Sequence, residues 1–182
     1  MTWISCNNCA DDLIGGPIAC QMCVLSGMGE GESQREGRGR MKFTVRIIPK
    51  GQRRTRAGIV KGHARVFKDA EQVREEQCLE SLLALHKPPV PLDGPLLLGV
   101  RAYLPIPASK PKKWKAAAEA GRIRPTVKPD MDNLLKHLKD CLTDMRFWKD
   151  DKLVVGYLPG TGKYYGNDPR WEIEIRSLEE GI

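Results

Sequence analysis

The feature that most constrains the fold of this chain is an apolar stripe with helical spacing in its C-terminal third. The stripe recurs at intervals of three and four residues, and its members are Met131, Leu134, Leu135, Leu138, Leu142 and Met145. Pro129 ends the preceding loop and Asp130 can cap free backbone amides, so a helix is expected from Asp130 to about Met145. Because 41% of the 182 residues are hydrophobic, the chain can bury a core.

The other elements are predicted from shorter patterns of apolar residues. Strands are expected at Lys42–Pro49, Leu96–Leu104, Lys152–Leu158 and Arg170–Leu178, and a second helix at Asp69–Leu85. Residues 50–67 are expected to form a basic loop, and residues 105–129 a long irregular segment with one or two helical turns around Trp114–Ala120. The order β-α-β-α-β-β predicts an α+β fold in which a small mixed sheet packs against two helices.

Composition divides the chain into three parts. Residues 26–40 are rich in Gly, Glu and Arg and are typical of a flexible linker between a cysteine-containing segment, 1–25, and a main domain, 41–182. No stretch approaches the roughly 18 consecutive apolar residues of a membrane span, and residues 1–25 lack the pattern of a signal peptide. A cytoplasmic protein without a membrane partner is therefore expected.

Positive charge is concentrated in two segments. Residues 41–68 hold nine basic residues and no acidic residue, and residues 109–128 hold seven basic residues and one acidic residue, Glu119. Such runs are often solvated loops, but two unbalanced runs that contain Gly or Pro favour contacts with nucleic-acid phosphates. The candidate DNA-binding residues are Arg53, Arg54, Arg56, Lys61, Lys110, Lys112, Lys113, Lys115, Arg122, Arg124 and Lys128.

Acidic residues gather at two predicted element starts. Asp130 and Asp132 lie at the start of the predicted helix, and Asp150 and Asp151 lie at the start of a strand that could pack against it. Carboxylates that converge in this way suit Mg²⁺, a hard ion that prefers oxygen ligands. A magnesium site can activate water and stabilise both oxygens of a phosphodiester displacement, while Lys136 could neutralise charge on the phosphate.

Each of these acids also has a purely structural interpretation. Asp130 could be only a helix cap, Asp132 and Lys136 only an exposed ion pair, and Asp150 and Asp151 only turn residues. Clustered like charges are nevertheless unfavourable unless a cation or a substrate compensates them. Because these acids lie inside an otherwise basic domain, the hypothesis of a metal site is retained beside the structural one.

The segments PDMDNLLK and FWKDDKLVV resemble the RusA family of Holliday junction resolvases, which are common in phages and prophages. The resemblance covers approximately residues 41–178 and is strongest from Lys128 to Val155. It implies a magnesium-dependent homodimer in the bacterial cytoplasm or nucleoid that cuts four-way DNA junctions in recombination and repair. The alternative, from a different class, is a non-catalytic DNA-binding or packaging accessory with a zinc-binding recruitment module.

The resemblance also implies roles for individual residues. By position, Asp130, Asp132 and Asp151 match the metal-binding aspartates and Lys136 matches the catalytic lysine, while Asp150 occupies a supporting acidic position. The basic run 109–124 and the segment Arg53–Phe67 resemble substrate-facing loops. The first 40 residues are not required by the family pattern.

Four cysteines near the N-terminus form two pairs with the spacing Cys-x-x-Cys, and they are Cys6, Cys9, Cys20 and Cys23. Four thiolates with this spacing suit tetrahedral Zn²⁺, which predicts a small structural zinc site. The alternative is a disordered tail with reduced thiols, or an extension from an upstream start codon. Cys78 and Cys141 fall in predicted helices and are expected to be ordinary buried thiols.

The segment Gly160–Lys163 superficially resembles a phosphate-binding loop. The motif fails because Tyr157 stands where its first glycine belongs and Tyr164 replaces the hydroxyl residue that would hold a metal. The segment is therefore expected to form a hairpin turn. Trp148 is expected in the core, and Trp114 is expected either in the core or stacked on an exposed base.

Overall fold

The computed structural model of the protein describes residues 39–53, 56–60, 63–67 and 69–178. No helix within these ranges is long and apolar enough to cross a membrane. In chain order the elements are the strands and helices β1 (Arg40–Val45), β2 (Arg56–Val60), β3 (His63–Phe67), α1 (Ala70–Ala84), β4 (Leu96–Pro105), α2 (Lys112–Glu119), α3 (Met131–Asp144), a 3₁₀ turn (Asp151–Leu153), β5 (Val154–Tyr157), β6 (Gly162–Gly166) and β7 (Arg170–Ser177).

The predicted zinc module lies outside the described residues, as do all but the last two residues of the predicted linker. No observation supports a zinc site at Cys6, Cys9, Cys20 and Cys23, and it stays a prediction. Elemental analysis of metal-replete protein tests it, because one zinc per chain should disappear when Cys20 and Cys23 are both replaced by Ser.

Five strands form one mixed sheet. β7 lies between β1 and β4 and is antiparallel to both. On its other side, β4 pairs in parallel with β5 near its start and with β6 near its end. The mixed sheet and the α+β class predicted from the sequence are therefore confirmed, with three helices in place of the two that were expected.

The main core lies between this sheet and the helices α1 and α3. Alternate residues of β4 and one stripe of each helix are buried, and these side chains include Leu96, Leu98, Val100, Leu79, Leu83, Leu134, Leu138 and Leu142. Burying a leucine stabilises a fold by roughly 1.5–3 kcal/mol, so the stripe of α3 determines which face of the helix turns inward. Trp148 is 1% exposed, as expected, and its indole nitrogen donates to Thr143 Oγ1 at 2.7 Å.

The helix α2 belongs to a second, smaller core. Ala118 is buried there with Leu104 of β4 and Tyr165 of β6. Trp114 packs edge-on against Tyr165 with ring centroids 5.3 Å apart, so it contributes to this small core. The one or two helical turns expected around Trp114–Ala120 are therefore confirmed, and they form the regular helix α2.

The basic loop predicted at residues 50–67 is wrong in part. β2 and β3 form a two-stranded antiparallel hairpin whose register runs from Arg56↔Phe67 to Val60↔His63. The two strands are five residues each and are separated by Lys61 and Gly62, the two-residue spacing typical of a hairpin. Interspersed basic residues obscured the short apolar pattern on which strand prediction depends.

The hairpin turn predicted at Gly160–Lys163 is also wrong. β5 and β6 do not pair with each other; both pair in parallel with β4. The chain leaves β4 after β5, turns through Gly160 at φ +85°, and returns to the same neighbour as β6. Pro159 lacks an amide hydrogen and cannot continue the ladder, which explains the interruption of this edge.

Candidate active site

Asp130 is the N-cap residue of α3 by its backbone but not by its side chain. Its backbone is extended, and its carbonyl oxygen accepts the first helical hydrogen bond from the amide of Leu134 at 3.0 Å. Its side chain makes no capping hydrogen bond. The capping explanation therefore holds for the backbone of Asp130 and does not account for its exposed carboxylate.

Asp132 and Lys136 lie one helical turn apart on the exposed side of α3. Neither side chain forms an ion pair within 4.0 Å with another described residue. The exposed Asp132–Lys136 ion pair considered from the sequence is therefore absent from this part of the chain.

The two neighbouring aspartates of the 3₁₀ turn differ in their contacts. Asp150 caps the turn by accepting from the Lys152 amide at 3.0 Å and pairs with Lys152 Nζ at 3.1 Å. These hydrogen bonds hold the pKa of Asp150 below its usual value. Asp151 instead pairs with Lys139 Nζ of α3 at 3.6 Å. The structural interpretation thus describes Asp150, while Lys139 ties Asp151 to the helix that also carries Asp132.

The three predicted metal-binding carboxylates are not gathered into one set in this structure. Among the described residues, no group of three or more His, Cys, Asp or Glu side chains is close enough to hold a metal ion. At about 1.5 Å of rise per residue, Lys139 lies about 10 Å beyond Asp132 along α3. Asp151 thus pairs with a side chain that belongs to the middle of α3.

The donor set at the start of α3 nevertheless suits magnesium. Mg²⁺ keeps several of its waters and is commonly bound by one or two carboxylates together with substrate phosphates. Asp130 and Asp132 supply two exposed carboxylates that make no cap and no ion pair with the described residues. Two such oxygen donors fit the ion.

Asn133 is a residue of this motif that the sequence analysis did not single out. Its Nδ2 donates to the carbonyl oxygen of Gln52 at 3.1 Å, and Gln52 Nε2 donates to Asp140 of α3 at 3.0 Å. A Cβ at Gly51 would lie 2.6 Å from Asn133 Nδ2, so a side chain at position 51 would displace the Asn133 amide. The residues just before the β2–β3 hairpin are therefore fixed to α3, and the position of Asn133 between Asp132 and Lys136 was the available signal.

Arg53 is the described residue through which the first basic run meets α1. Its guanidinium pairs with Glu71 at 2.6 Å, Glu75 at 3.4 Å and Asp69 at 3.5 Å. The hydrogen bond between Arg53 and Glu71 raises the pKa of Arg53 and lowers the pKa of Glu71. Lys50 also pairs with Glu75, at 2.6 Å. Acidic side chains at the start of α1 and just before it thus pair with Lys50 and Arg53. Arg54 and Lys61 lie outside the described residues, and only the place of Arg56 in β2 is described.

The second basic run has no such partners. None of its seven basic side chains lies within 4.0 Å of a described carboxylate, and these are Lys110, Lys112, Lys113, Lys115, Arg122, Arg124 and Lys128. All except Lys115 are exposed. Lys115 donates to the carbonyl of Ala108 at 2.9 Å, and the guanidinium of Arg124 lies 3.5 Å above the ring of Tyr164. This run ends two residues before Asp130, so uncompensated positive charge leads directly to the exposed acids.

Comparison with known proteins identifies the family of this chain. Residues 46–176 match the family described as Endodeoxyribonuclease RusA. The chain is also 36% identical over 140 residues to the uncharacterized protein YqaN of Bacillus subtilis (strain 168), and the match covers 76% of this chain and 96% of that protein. Both the β2–β3 hairpin and the start of α3 lie inside the family match. The chain therefore belongs to the RusA endodeoxyribonuclease family.

Proposed function

We propose that this protein is a magnesium-dependent endonuclease that resolves four-way DNA junctions. The observation that carries the proposal is the start of α3, where Asp130 and Asp132 are exposed and are engaged neither as side-chain caps nor in ion pairs with described residues. Acids left in this state gain from binding a cation. Membership of an endodeoxyribonuclease family supports phosphodiester hydrolysis as the reaction.

In the proposed mechanism, Asp130 and Asp132 hold the metal and Lys136 acts one turn further along α3. Mg²⁺, when bound, supplies activation of a water molecule and stabilisation of the attacking and leaving oxygens. The ammonium of Lys136 neutralises charge that develops on the phosphate or on the leaving oxygen. Asp151 is proposed as a third ligand, and it must exchange its pairing with Lys139 to reach this role. Asp150 supports the turn that presents Asp151.

The basic residues of the second run, 109–128, have no described carboxylate within 4.0 Å of their side chains, and they are proposed to bind the DNA backbone. Contacts to phosphates position a nucleic acid without reading its bases, which suits recognition of a branched structure over a sequence. A four-way junction offers two equivalent strands, so a two-fold homodimer would present one acidic site to each. The dimer is proposed on the family resemblance, as is a role in phage or prophage recombination and repair.

A cleavage assay on a synthetic four-way junction tests this function. Wild-type protein should cut the junction when Mg²⁺ is present and should not cut without it. Asp132→Asn should lower the cleavage rate by at least about 100-fold and leave junction binding intact or tighter, because it removes a proposed metal ligand and no phosphate contact. Asp168→Asn, which changes an exposed aspartate between β6 and β7, is the matched control and should cut like wild type.

The same assay decides between the enzyme and the non-catalytic alternative. An accessory DNA-binding protein would bind junctions and would not cut them with either Mg²⁺ or Mn²⁺. Flap and linear duplex substrates, run beside the junction, test the proposed preference. Cutting a flap or a linear duplex as fast as the junction would contradict junction resolution and would leave a less selective nuclease.

A further inference from the structure

The lysine of the rejected phosphate-loop motif makes a contact that the proposed mechanism does not use. Lys163 lies in β6, where it pairs through its backbone with Ala102 of β4. Its Nζ donates to the carbonyl oxygens of Val127 and Pro129, both at 2.9 Å. The half-buried side chain therefore spans from the sheet to the segment that leads into α3.

The contact with Pro129 acts on the backbone of Asp130. The carbonyl of Pro129 belongs to the peptide group that joins Pro129 to Asp130. A peptide group is planar, so fixing its oxygen fixes the orientation of the whole plane. The side-chain direction of Asp130 then depends on a restricted backbone, and the first turn of α3 begins from a defined position. This is the geometry by which one residue can orient a neighbouring carboxylate without touching it.

The other end of the same segment is also attached to β6. Arg124 Nη1 donates to the carbonyl oxygen of Lys163 at 3.1 Å, and its guanidinium lies over the ring of Tyr164. Residues 124–129 are therefore held at both ends, by Arg124 at the first and by Lys163 at the last. A segment held in this way loses little additional entropy when a ligand binds to the acids that follow it.

The environment of the Lys163 ammonium points to positioning as its role. No described carboxylate lies within 4.0 Å of Nζ, so two carbonyl dipoles are its hydrogen-bond partners within the described chain. The pairing of β6 with β4 uses backbone groups and the packing of β6 uses Tyr165, and neither requires this side chain. A lysine that served the fold alone would be replaceable by an apolar side chain of similar length without effect on the start of α3.

We propose that Lys163 is a positioning residue that holds the Pro129–Asp130 peptide group and thereby orients Asp130 for metal binding. The proposal rests on the proposed function, since it assigns Lys163 a role at the same site. Lys163 touches neither the substrate nor the metal. Its loss should therefore affect the cleavage rate and the metal requirement more than the affinity for DNA.

The test compares Lys163→Met, Lys163→Arg and the control Lys149→Met. Lys149 is an exposed lysine that pairs with Asp93 outside the proposed site. In Lys163→Met, the single-turnover cleavage rate should fall at least about tenfold, because misplacement by about 1 Å can cost about 100-fold. The half-activating Mg²⁺ concentration should rise, whereas junction affinity without metal should change less than about twofold. Lys163→Arg should restore most of the rate because it keeps donors for both carbonyls.

Amide hydrogen exchange gives a readout that does not require activity. In Lys163→Met, residues 124–134 should exchange faster than in wild type and in Lys149→Met, with exchange elsewhere unchanged. If the wild-type protein proves not to cut junctions, the proposed function fails, and this exchange measurement alone decides whether Lys163 positions the segment. Lys163→Gln serves the same comparisons if the methionine variant does not fold.

Two results would overturn the proposal. The first is a Lys163→Met variant whose exchange at 124–134, cleavage rate and magnesium requirement all match wild type. The second is a Lys163→Met variant whose main defect is weaker junction binding, with the slope of log affinity against log salt concentration reduced by about one. That behaviour identifies a direct phosphate contact.

Discussion

The two basic runs of this protein look alike in the sequence and differ in the structure. At the base of the first, the guanidinium of Arg53 contacts Asp69, Glu71 and Glu75 of the α1 region. In the second, residues 110–128, no basic side chain is within 4.0 Å of a described carboxylate. Positive charge available to a nucleic acid therefore depends on which acids the fold brings nearby, and a count of basic residues does not measure it.

The largest effect is expected from neutralising the second run. Replacing Lys112, Lys113 and Arg122 together with Gln should weaken junction binding by up to roughly 500-fold near 0.1 M salt, because each lost phosphate contact removes about 0.9 from the salt slope. Fluorescence polarisation at several salt concentrations measures both quantities. An unchanged slope would show that these three side chains do not meet phosphates and would remove the distinction between the two runs.

A smaller effect in the opposite direction is expected from releasing Arg53. Glu71→Gln removes the carboxylate that accepts its hydrogen bond at 2.6 Å, and a freed guanidinium could add one phosphate contact. Junction affinity should then rise by up to about eightfold near 0.1 M salt, with a steeper salt dependence. Asp144→Asn, which removes an equal charge from the far end of α3, is the control. A rise of the same size in both variants would indicate a general effect of net charge.

Removing Arg53 should affect folding more than binding. Arg53→Ala breaks its contacts with Asp69, Glu71 and Glu75, so the urea midpoint of unfolding should fall. Junction affinity should stay within about threefold of wild type because the guanidinium is already neutralised. A loss of affinity as large as that from the second run, with unchanged stability, would reverse the comparison and restore Arg53 as a principal DNA contact.

The smallest effect concerns a buried histidine. His86 Nδ1 is buried and has no hydrogen-bond partner among the described residues, and the ring stacks on Phe43 with centroids 4.8 Å apart. Burial lowers the pKa of His86, so the unfolded chain binds its proton more readily and stability is lost as the pH falls below the ordinary value of about 6.5. The slope from this group is at most about 1.4 kcal/mol per pH unit.

His86→Phe keeps an aromatic ring beside Phe43 and removes the titrating group. The variant should therefore lose less stability than wild type between pH 7.5 and 5.5, as measured by urea unfolding at each pH. Equal losses in the two proteins would show that His86 is not the source of the pH dependence. The comparison of His86→Phe with wild type therefore measures the effect of a buried neutral group on stability. It is independent of the basic side chains in the two runs.

Local patterns predicted those parts of the fold that depend on local spacing. The stripe of α3 predicted its buried face, and Leu134, Leu138 and Leu142 are each 0% exposed. The strand β6 was missed because its pairing depends on β4, about 60 residues earlier in the chain, and no local pattern specifies that neighbour. The hairpin of β2 and β3 was missed because basic residues interrupt its apolar pattern.

The candidate site shows the same division. Asp132 and Lys136 lie outside the apolar stripe that the sequence predicted, and their exposure follows from that position on the helix. The pairing of Lys139 with Asp151 and the neutralisation of Arg53 by Glu71 depend on tertiary contacts, and charge counting could not reveal them. The attachment of Lys163 to Pro129 joins segments 34 residues apart, and its motif suggested a different role.

The most direct measurement of the central claim is the single-turnover rate at which Asp130→Asn and Asp132→Asn cut a bound four-way junction with Mg²⁺. If Asp130 and Asp132 form the catalytic centre, each variant should bind the junction as tightly as wild type or more tightly. Each should cleave it at least about 100-fold more slowly. Cleavage by both variants at the wild-type rate would contradict the account, as would a wild-type protein that binds the junction and never cuts it with Mg²⁺ or Mn²⁺.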